Sequence, residues 1–274
     1  MYASESSFAR EKALSEYLGR EIETIRYPNN ILAIEYLKAI ENIGSNVKPV
    51  TIERVDEGYN SDYLAYKYSS AKALRQRIEN SYREGCKEIP EELKGSLPKN
   101  VFNILSQNWK RGLPVVTDDF SSELIYALTM NYERLEEFFD IPSDIAERIR
   151  ALTDEYQNFT QFTELIKTKN RTYNSVSRAL LHILLGMKKK KTEAVKYAKI
   201  IGFRKDANEC ISMMSKKSSV PLIFRNSDIY KSSDREIAYL YNEENRRERL
   251  YANVLARKFM CHFENPAKLK ILRV

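Results

Sequence analysis

The chain is sparing with the residues that make turns, staples and reactive centres. Glycine and proline number only 8 each in 274 residues, which argues for helices over a turn-rich sandwich or barrel. Its three cysteines, Cys86, Cys210 and Cys261, lie far apart and are odd in number. No C-x-x-C pair occurs, so neither a disulfide framework nor a thiolate zinc site is expected, and the usage suits a reducing, cytoplasmic setting. There are two histidines, His182 and His262, in different segments. The sequence therefore holds no H-x-G-H and no H-E-x-x-H; it also has no G-x-x-x-x-G-K-[ST] and no G-x-G-x-x-G. No run of about 18 apolar residues is present, so no membrane span is expected. The first residues are polar and carry no apolar secretory h-region. Carboxylate pairs such as Asp118-Asp119 and Glu136-Glu137 read as ordinary helix-start and surface charge, and no catalytic or metal-ligating set is assigned.

What the chain does have is basic charge and helical periodicity. Lysine and arginine total 45 against 38 aspartates and glutamates, a net charge of +7 and a pI of about 9.1. Such a balance favours a polyanionic partner. At this length two cores are expected.

Phe8, Ala9, Ala13, Leu14, Tyr17 and Leu18 form a helical stripe through Gly19. Pro28 then fixes φ, Asn29 or Asn30 can cap, and Ile31, Ile34 and Leu37 share a helix face. Lys48-Pro49 leads into Val50-Thr51-Ile52-Glu53-Arg54-Val55, a β-branched run read as a strand that Arg54 closes. One strand makes no stable sheet. The expectation is a chain that starts inside a domain, or that pairs with a segment outside this sequence. Gly58 and Asn60 suit a turn. Ser69-Ser70 opens a helix over Ala71–Glu84 with Ala73, Leu74, Ile78 and Tyr82 inward. Residues 86–100 read as a linker and domain boundary. Beyond it the pattern is helical: Val101, Ile104 and Leu105; then Leu124, Leu128, Leu135 and Phe139; then Ile145, Ile149 and Leu152; then Phe159, Phe162, Leu165 and Ile166. A further helix carries Val176, Ala179, Leu180 and Ile183 and stops at Gly186. Asp206 can cap a helix through Met214, Val220–Ile223 is a short extended piece, and a last helix runs from Asp234 to Phe259 around Arg246-Arg247-Glu248-Arg249.

Two constellations could carry function. Ser69-Ser70 before a helix, with Lys72 and Arg75 in its first turns, can cradle phosphate through outward amides, the helix dipole and added donors. The second comprises Lys167, Lys169, Arg171, Arg178 and the lysines at 188–191, interleaved with Tyr173 and His182. Basic side chains grip a phosphate backbone, and aromatic rings stack on unpaired bases. A capped helix start and a solvated helix face are the plain alternatives, and His182 can simply be packed.

Several motifs together resemble the tRNA(Met) cytidine acetate ligase family. They begin with Pro28-Asn29-Asn30-Ile31-Leu32-Ala33-Ile34-Glu35-Tyr36-Leu37-Lys38-Ala39 and the run from Lys48-Pro49 to Arg54. Gly58-Tyr59-Asn60-Ser61-Asp62 is similar to the family's G-Y-H-D, with Asn60 for histidine. Ser70-Ala71-Lys72-Ala73-Leu74-Arg75 is similar to S-A-T-A-I-R, with Lys72 for threonine. Glu164 to Lys169, Arg171 to Arg178, Leu181 to Leu184, Ile201-Gly202-Phe203 and Val220 to Ile223 resemble its later signatures, so the likeness spans about residues 7–225.

The resemblance implies a fold that is mainly α: the latter part of a Rossmann-like nucleotidyltransferase domain over residues 1–90, then an all-α, tRNA-binding domain over 100–274. It implies tRNA modification by an ATP-dependent ligase, which forms acetyl-adenylate and acetylates the wobble cytidine of elongator methionine tRNA. ATP, with Mg2+, is then a substrate and tRNA a partner. Asn29 and Arg54 match the family's ATP contacts, and Ser70 and Arg75 sit where related nucleotidyltransferases grip the phosphate of ATP; Lys167, Lys169, Arg171, Tyr173, Arg178, Lys188 and Lys189 would meet tRNA. The family's H-x-G-H has no counterpart here, so a non-catalytic RNA-binding module and a partner-binding scaffold stand beside the enzyme reading.

Overall fold

The structure is a computed structural model that describes residues 11–22, 28–52, 69–189, 195–231, 234–262 and 271–274. Residues 11–18 are helical and end on Gly19 at φ +65°, a left-handed stop that favours glycine. Helix α1 spans Pro28–Ile43. Proline occupies the first helical position, where its missing N–H costs nothing. Asn29 and Asn30 therefore sit inside the first turn rather than capping it. Val50, Thr51 and Ile52 form no strand, and Val50 and Ile52 are 85% and 92% exposed. Glu53, Arg54 and Val55, and the expected turn at Gly58 and Asn60, lie outside the described residues.

Helix α2, Ala71–Arg83, starts as expected: the Ser70 Oγ accepts from the Ala73 amide at 3.1 Å. The stretch after it is packed, not a linker. Ile89 and Leu93 are buried with Phe102 and Trp109, against Leu74, Ile78 and Tyr82. A 3-10 turn over Glu91–Gly95 carries Leu93, and helix α3, Lys99–Asn108, carries Phe102 and ends at Trp109. Trp109 sets its ring edge-on to Tyr82 at 6.1 Å and donates from Nε1 to the Cys86 carbonyl at 3.1 Å.

The largest core joins α4 (Ser121–Met130), α5 (Ser143–Leu152), α6 (Phe159–Ile166) and α7 (Tyr173–Leu184). Leu124, Leu135, Phe159, Phe162, Ile166 and Leu180 are wholly buried. Caps fix the helix starts: Asn158 Oδ1 accepts from the Gln161 amide and Thr172 Oγ1 from the Ser175 amide. One expectation fails by a single residue. Residues Tyr132–Glu137 form a 3-10 helix, so Phe138, not Phe139, follows Leu135 inward. Three residues per turn bring i+3 back to the same face, where an α-helix would favour i+4.

The last part is not all helix. Strand β1, Ala198–Lys199, and β3, Leu222–Ile223, pair in parallel; β2, Gly202–Phe203, pairs in parallel with β4, Leu272–Arg273. A Cβ at Gly202 would stand 3.2 Å from the Leu272 carbonyl, so a side chain there would push the pair apart. Helix α8, Asn208–Lys217, follows a 3-10 turn; the Asp206 carboxylate binds Arg204 and caps nothing. Helices α9 (Asn226–Lys231) and α10 (Arg235–Phe259) cover the β1–β3 pair, with Ile223, Ile229, Ile237 and Tyr241 buried between them. Asp234 caps α10 through the Glu236 amide at 2.8 Å.

The far end of α10 fastens this part to the rest. Arg257 binds Glu123 at 2.5 Å. Lys258 binds Asp119 at 2.7 Å while its ammonium stands 4.3 Å above the Tyr82 ring. Among the described residues no helix is long and apolar enough to cross a membrane, and no group of three or more His, Cys, Asp or Glu could hold a metal.

Candidate functional site

The helical cations gather along one run of chain. Helix α6 ends at Ile166, a tight turn joins Thr168 to Arg171 through reciprocal backbone bonds of 3.2 Å, and α7 begins at Tyr173. Arg148 holds the end of α6 in place by donating to the Leu165 and Ile166 carbonyls at 2.7 and 2.8 Å. The turn lifts Lys169 to an exposed tip.

Lys167, Arg171, Arg178 and Lys188 each face a carboxylate. Lys167 binds Glu164 at 2.5 Å, and Arg171 approaches Asp144 of α5 at 3.3 Å. Arg178 donates to Asp140 at 2.6 Å, and Lys188 binds Glu137 at 2.6 Å. Asp140 adopts the left-handed conformation, φ 59°, which aspartate tolerates better than most residues. Lys189 lies beside Lys188: its amide donates to the Glu137 carbonyl and its ammonium to the Ile141 carbonyl at 3.1 Å. The Lys188 hydrogen bond holds the Glu137 carboxyl below the usual carboxylate range, and Arg150 does the same to Glu136.

The face is thus a ladder of ion pairs rather than a bare positive strip. Exposed pairs of this kind are each worth about 0–1 kcal/mol, so a phosphate can take the place of the carboxylate. Lys169 has no such partner among the described residues. Tyr173 is half-buried at the start of α7. His182 is packed: its Nδ1 lies 3.1 Å from the Phe139 carbonyl, and the rings meet edge-on at 6.0 Å.

The N-terminal residues stand apart. Asn29 is exposed in the first turn of α1, and Arg75 is exposed on α2. Ser70 is buried, its hydroxyl engaged in capping, while the neighbouring Ser69 hydroxyl meets that of Ser96 at 2.9 Å. Arg54 lies outside the described residues. None of Asn29, Ser70 and Arg75 lines the cavity of about 760 Å3 that lies between α4, the end of α7 and α10. That cavity meets the cationic run at Lys188. Of its walls only Lys188 was singled out from sequence as a site residue; the arginines at 246–249 were a visible sign, whereas nothing marked Tyr126.

Comparison with known proteins gives one answer at several levels. A model of the family described as HIGH Nucleotidyl Transferase matches residues 3–265. The chain is 32% identical over 237 residues to the tRNA(Met) cytidine acetate ligase of Acetivibrio thermocellus, covering 82% of this chain and 56% of that protein. It is 34% identical over 220 residues to the protein of the same name from Thermoanaerobacter pseudethanolicus, covering 78% and 53%. The chain therefore spans about half the length of these curated relatives. The crystal structure of apo Thermotoga maritima TmcAL superposes with a TM-score of 0.83 at 22% identity, over 98% of this chain and 66% of that one. The same protein bound with alpha-thio ATP gives 0.80 at 22% identity, over 97% and 66%. The fold is shared; the ATP analogue belongs to that structure.

Proposed function

This chain belongs to the HIGH nucleotidyl transferase family, among the tRNA(Met) cytidine acetate ligases, and from that premise we propose that it serves acetate-dependent acetylation of a cytidine in methionine tRNA. In this reading residues 1–90 are the latter part of a Rossmann-like nucleotidyltransferase domain, and 100–274 form a mainly helical unit that holds tRNA. Acetate attacks the α-phosphate of ATP to give acetyl-adenylate and pyrophosphate. The cytidine amine then attacks the acetyl carbonyl and releases AMP. Asn29, Arg54, Ser70 and Arg75 border the nucleotide. Mg2+ accompanies its phosphates, as this cation commonly does.

The tRNA is held by Lys167, Lys169, Arg171, Tyr173, Arg178, Lys188 and Lys189. The observation that carries the reading is the identity to ligases of that name across four-fifths of the chain. The exposed cations of this run support it, since their loose ion pairs leave them able to contact phosphate. One fact favours a second reading, RNA binding without chemistry by this chain alone: its sequence has no H-x-G-H, and lost transition-state donors cost several kcal/mol of catalysis.

Filter binding of a methionine tRNA transcript across a salt series tests the tRNA reading. Affinity should fall log-linearly with salt. The triple variant Lys169→Ala, Arg171→Ala, Arg178→Ala should flatten the slope by about 2–3, near 0.9 per phosphate contact. A slope that does not change removes this face from the reading. Arg75→Ala should weaken ATP binding about tenfold, as loss of a charge-assisted hydrogen bond does. Unchanged ATP affinity would remove Arg75 from the nucleotide site.

A further inference from the structure

The cavity between α4 and α10 is built from two facing helix surfaces. On α4, Ser122, Tyr126 and Met130 follow each other at four-residue spacing, so they share the face opposite the buried Leu124 and Leu128. Tyr126 and Met130 are 67% and 59% exposed, so both are open to a ligand in the groove. On α10, Arg246, Arg249, Leu250 and Asn253 share the facing surface at three- and four-residue spacing. The end of α7 makes the floor. There the Arg246 guanidinium lies against Gly186 so closely that a Cβ would come within 3.0 Å of it. Arg247 closes the floor by donating to the Leu185 carbonyl at 3.2 Å.

The walls carry Lys188, Arg246, Arg247 and Arg249 against one carboxylate, Glu123, which Arg257 already holds. Glu243 takes up part of the charge of Arg246 and Arg247. Arg249 is exposed and has no partner among the described residues. An aromatic ring and a thioether beside guanidinium groups and amides suit a ligand with a flat face and a phosphate. At about 760 Å3 the space is that of a small-molecule site, not of a duplex groove.

We propose that this groove holds an unpaired nucleotide of the bound RNA, its base stacked on Tyr126 and its phosphate at Arg249. The proposal rests on the tRNA reading above, which it extends through Lys188, a member of both surfaces. Bases are open to stacking only where RNA is unpaired. An acidic peptide is the competing occupant, but the walls are helical and offer no strand edge, and the arginines interrupt any continuous apolar trough.

The intact chain can be titrated with fluorescein-labelled oligouridylate, a short duplex RNA and a methionine tRNA transcript. The expectation is tighter binding of oligouridylate than of duplex. Tyr126→Ala should weaken oligouridylate by at least about fivefold, the low end for one lost base–aromatic stack, and Tyr126→Phe should restore it. Arg249→Ala should lower the salt slope by about 0.7, one contact on a single strand. Tyr126 and Arg249 are exposed, so these variants keep the fold, which circular dichroism checks. If tRNA binds wild type and Tyr126→Ala alike, the groove assignment falls and the tRNA reading stands. If tRNA binds neither, both fall. Displacement of oligouridylate by polyglutamate that itself requires Tyr126 would give the groove to an acidic peptide and overturn the proposal.

Discussion

Leu124 and Leu128 on α4 retain 0% and 1% of their surface, whereas Leu32, Tyr36 and Leu37 on α1 retain 52%, 62% and 48%. Both helices carry an apolar stripe that the sequence displays equally well. The difference lies in their neighbours. Helix α4 meets α7 and α6 within one compact stretch of chain, and short connections bring their faces together. Among the described residues α1 and the run to Ile52 bury little. An apolar stripe states that a face wants covering; it does not state by what. The buried faces of the helical region are thus met by one another, whereas among the described residues the apolar face of α1 is left largely exposed.

Substitutions can break that contrast, the largest effect first. Phe162→Ala, in the wholly buried core, should cost about 3–5 kcal/mol of stability in chemical denaturation. Next comes Arg148→Ala, which frees two carbonyls at the end of α6; about 1–3 kcal/mol should be lost. Leu32→Ala, on the open face of α1, should change stability by less than about 0.5 kcal/mol. A loss there as large as that of Phe162→Ala would show that α1 is covered after all.

A pH series sharpens the same contrast. Burial pushes the Tyr156 hydroxyl up to about 12, and it donates to the Ser121 carbonyl at 2.7 Å. The folded state therefore keeps the proton that the unfolded chain releases near pH 10. The stabilisation is complete below about pH 10 and lost as pH rises towards about 12. Tyr156→Phe should remove that loss from the melting temperature measured over this range; an identical decline in wild type and variant would contradict it.

Where a feature depended on neighbours in sequence, it could be read in advance. Ser70 and Asp234 cap α2 and α10 because a short polar side chain ahead of an apolar run satisfies the first amides. Gly186 ends α7 because it takes φ +66° without strain. Features that join distant residues were not legible. The Gly202–Leu272 pairing spans the whole last part of the chain, and nothing near Gly202 announces it. The carboxylates facing Arg171, Arg178 and Lys188 come from 27 to 51 residues away, so a run that looks purely cationic is largely ion-paired in space. The 3-10 turn before Phe138 shifted a face by one residue, since the pattern alone does not separate three from 3.6 residues per turn. The groove of Tyr126 and Arg249 needed two helices more than a hundred residues apart.

Hydrogen exchange on the intact chain, with and without methionine tRNA, addresses the account most directly. Binding should slow exchange over the turn at 168–171, the start of α7 and the facing stretches of α4 and α10. Residues 28–52 should exchange alike in both samples. Protection confined to residues 28–52, or none anywhere at a saturating tRNA concentration, would contradict the assignment of tRNA binding to the helical region.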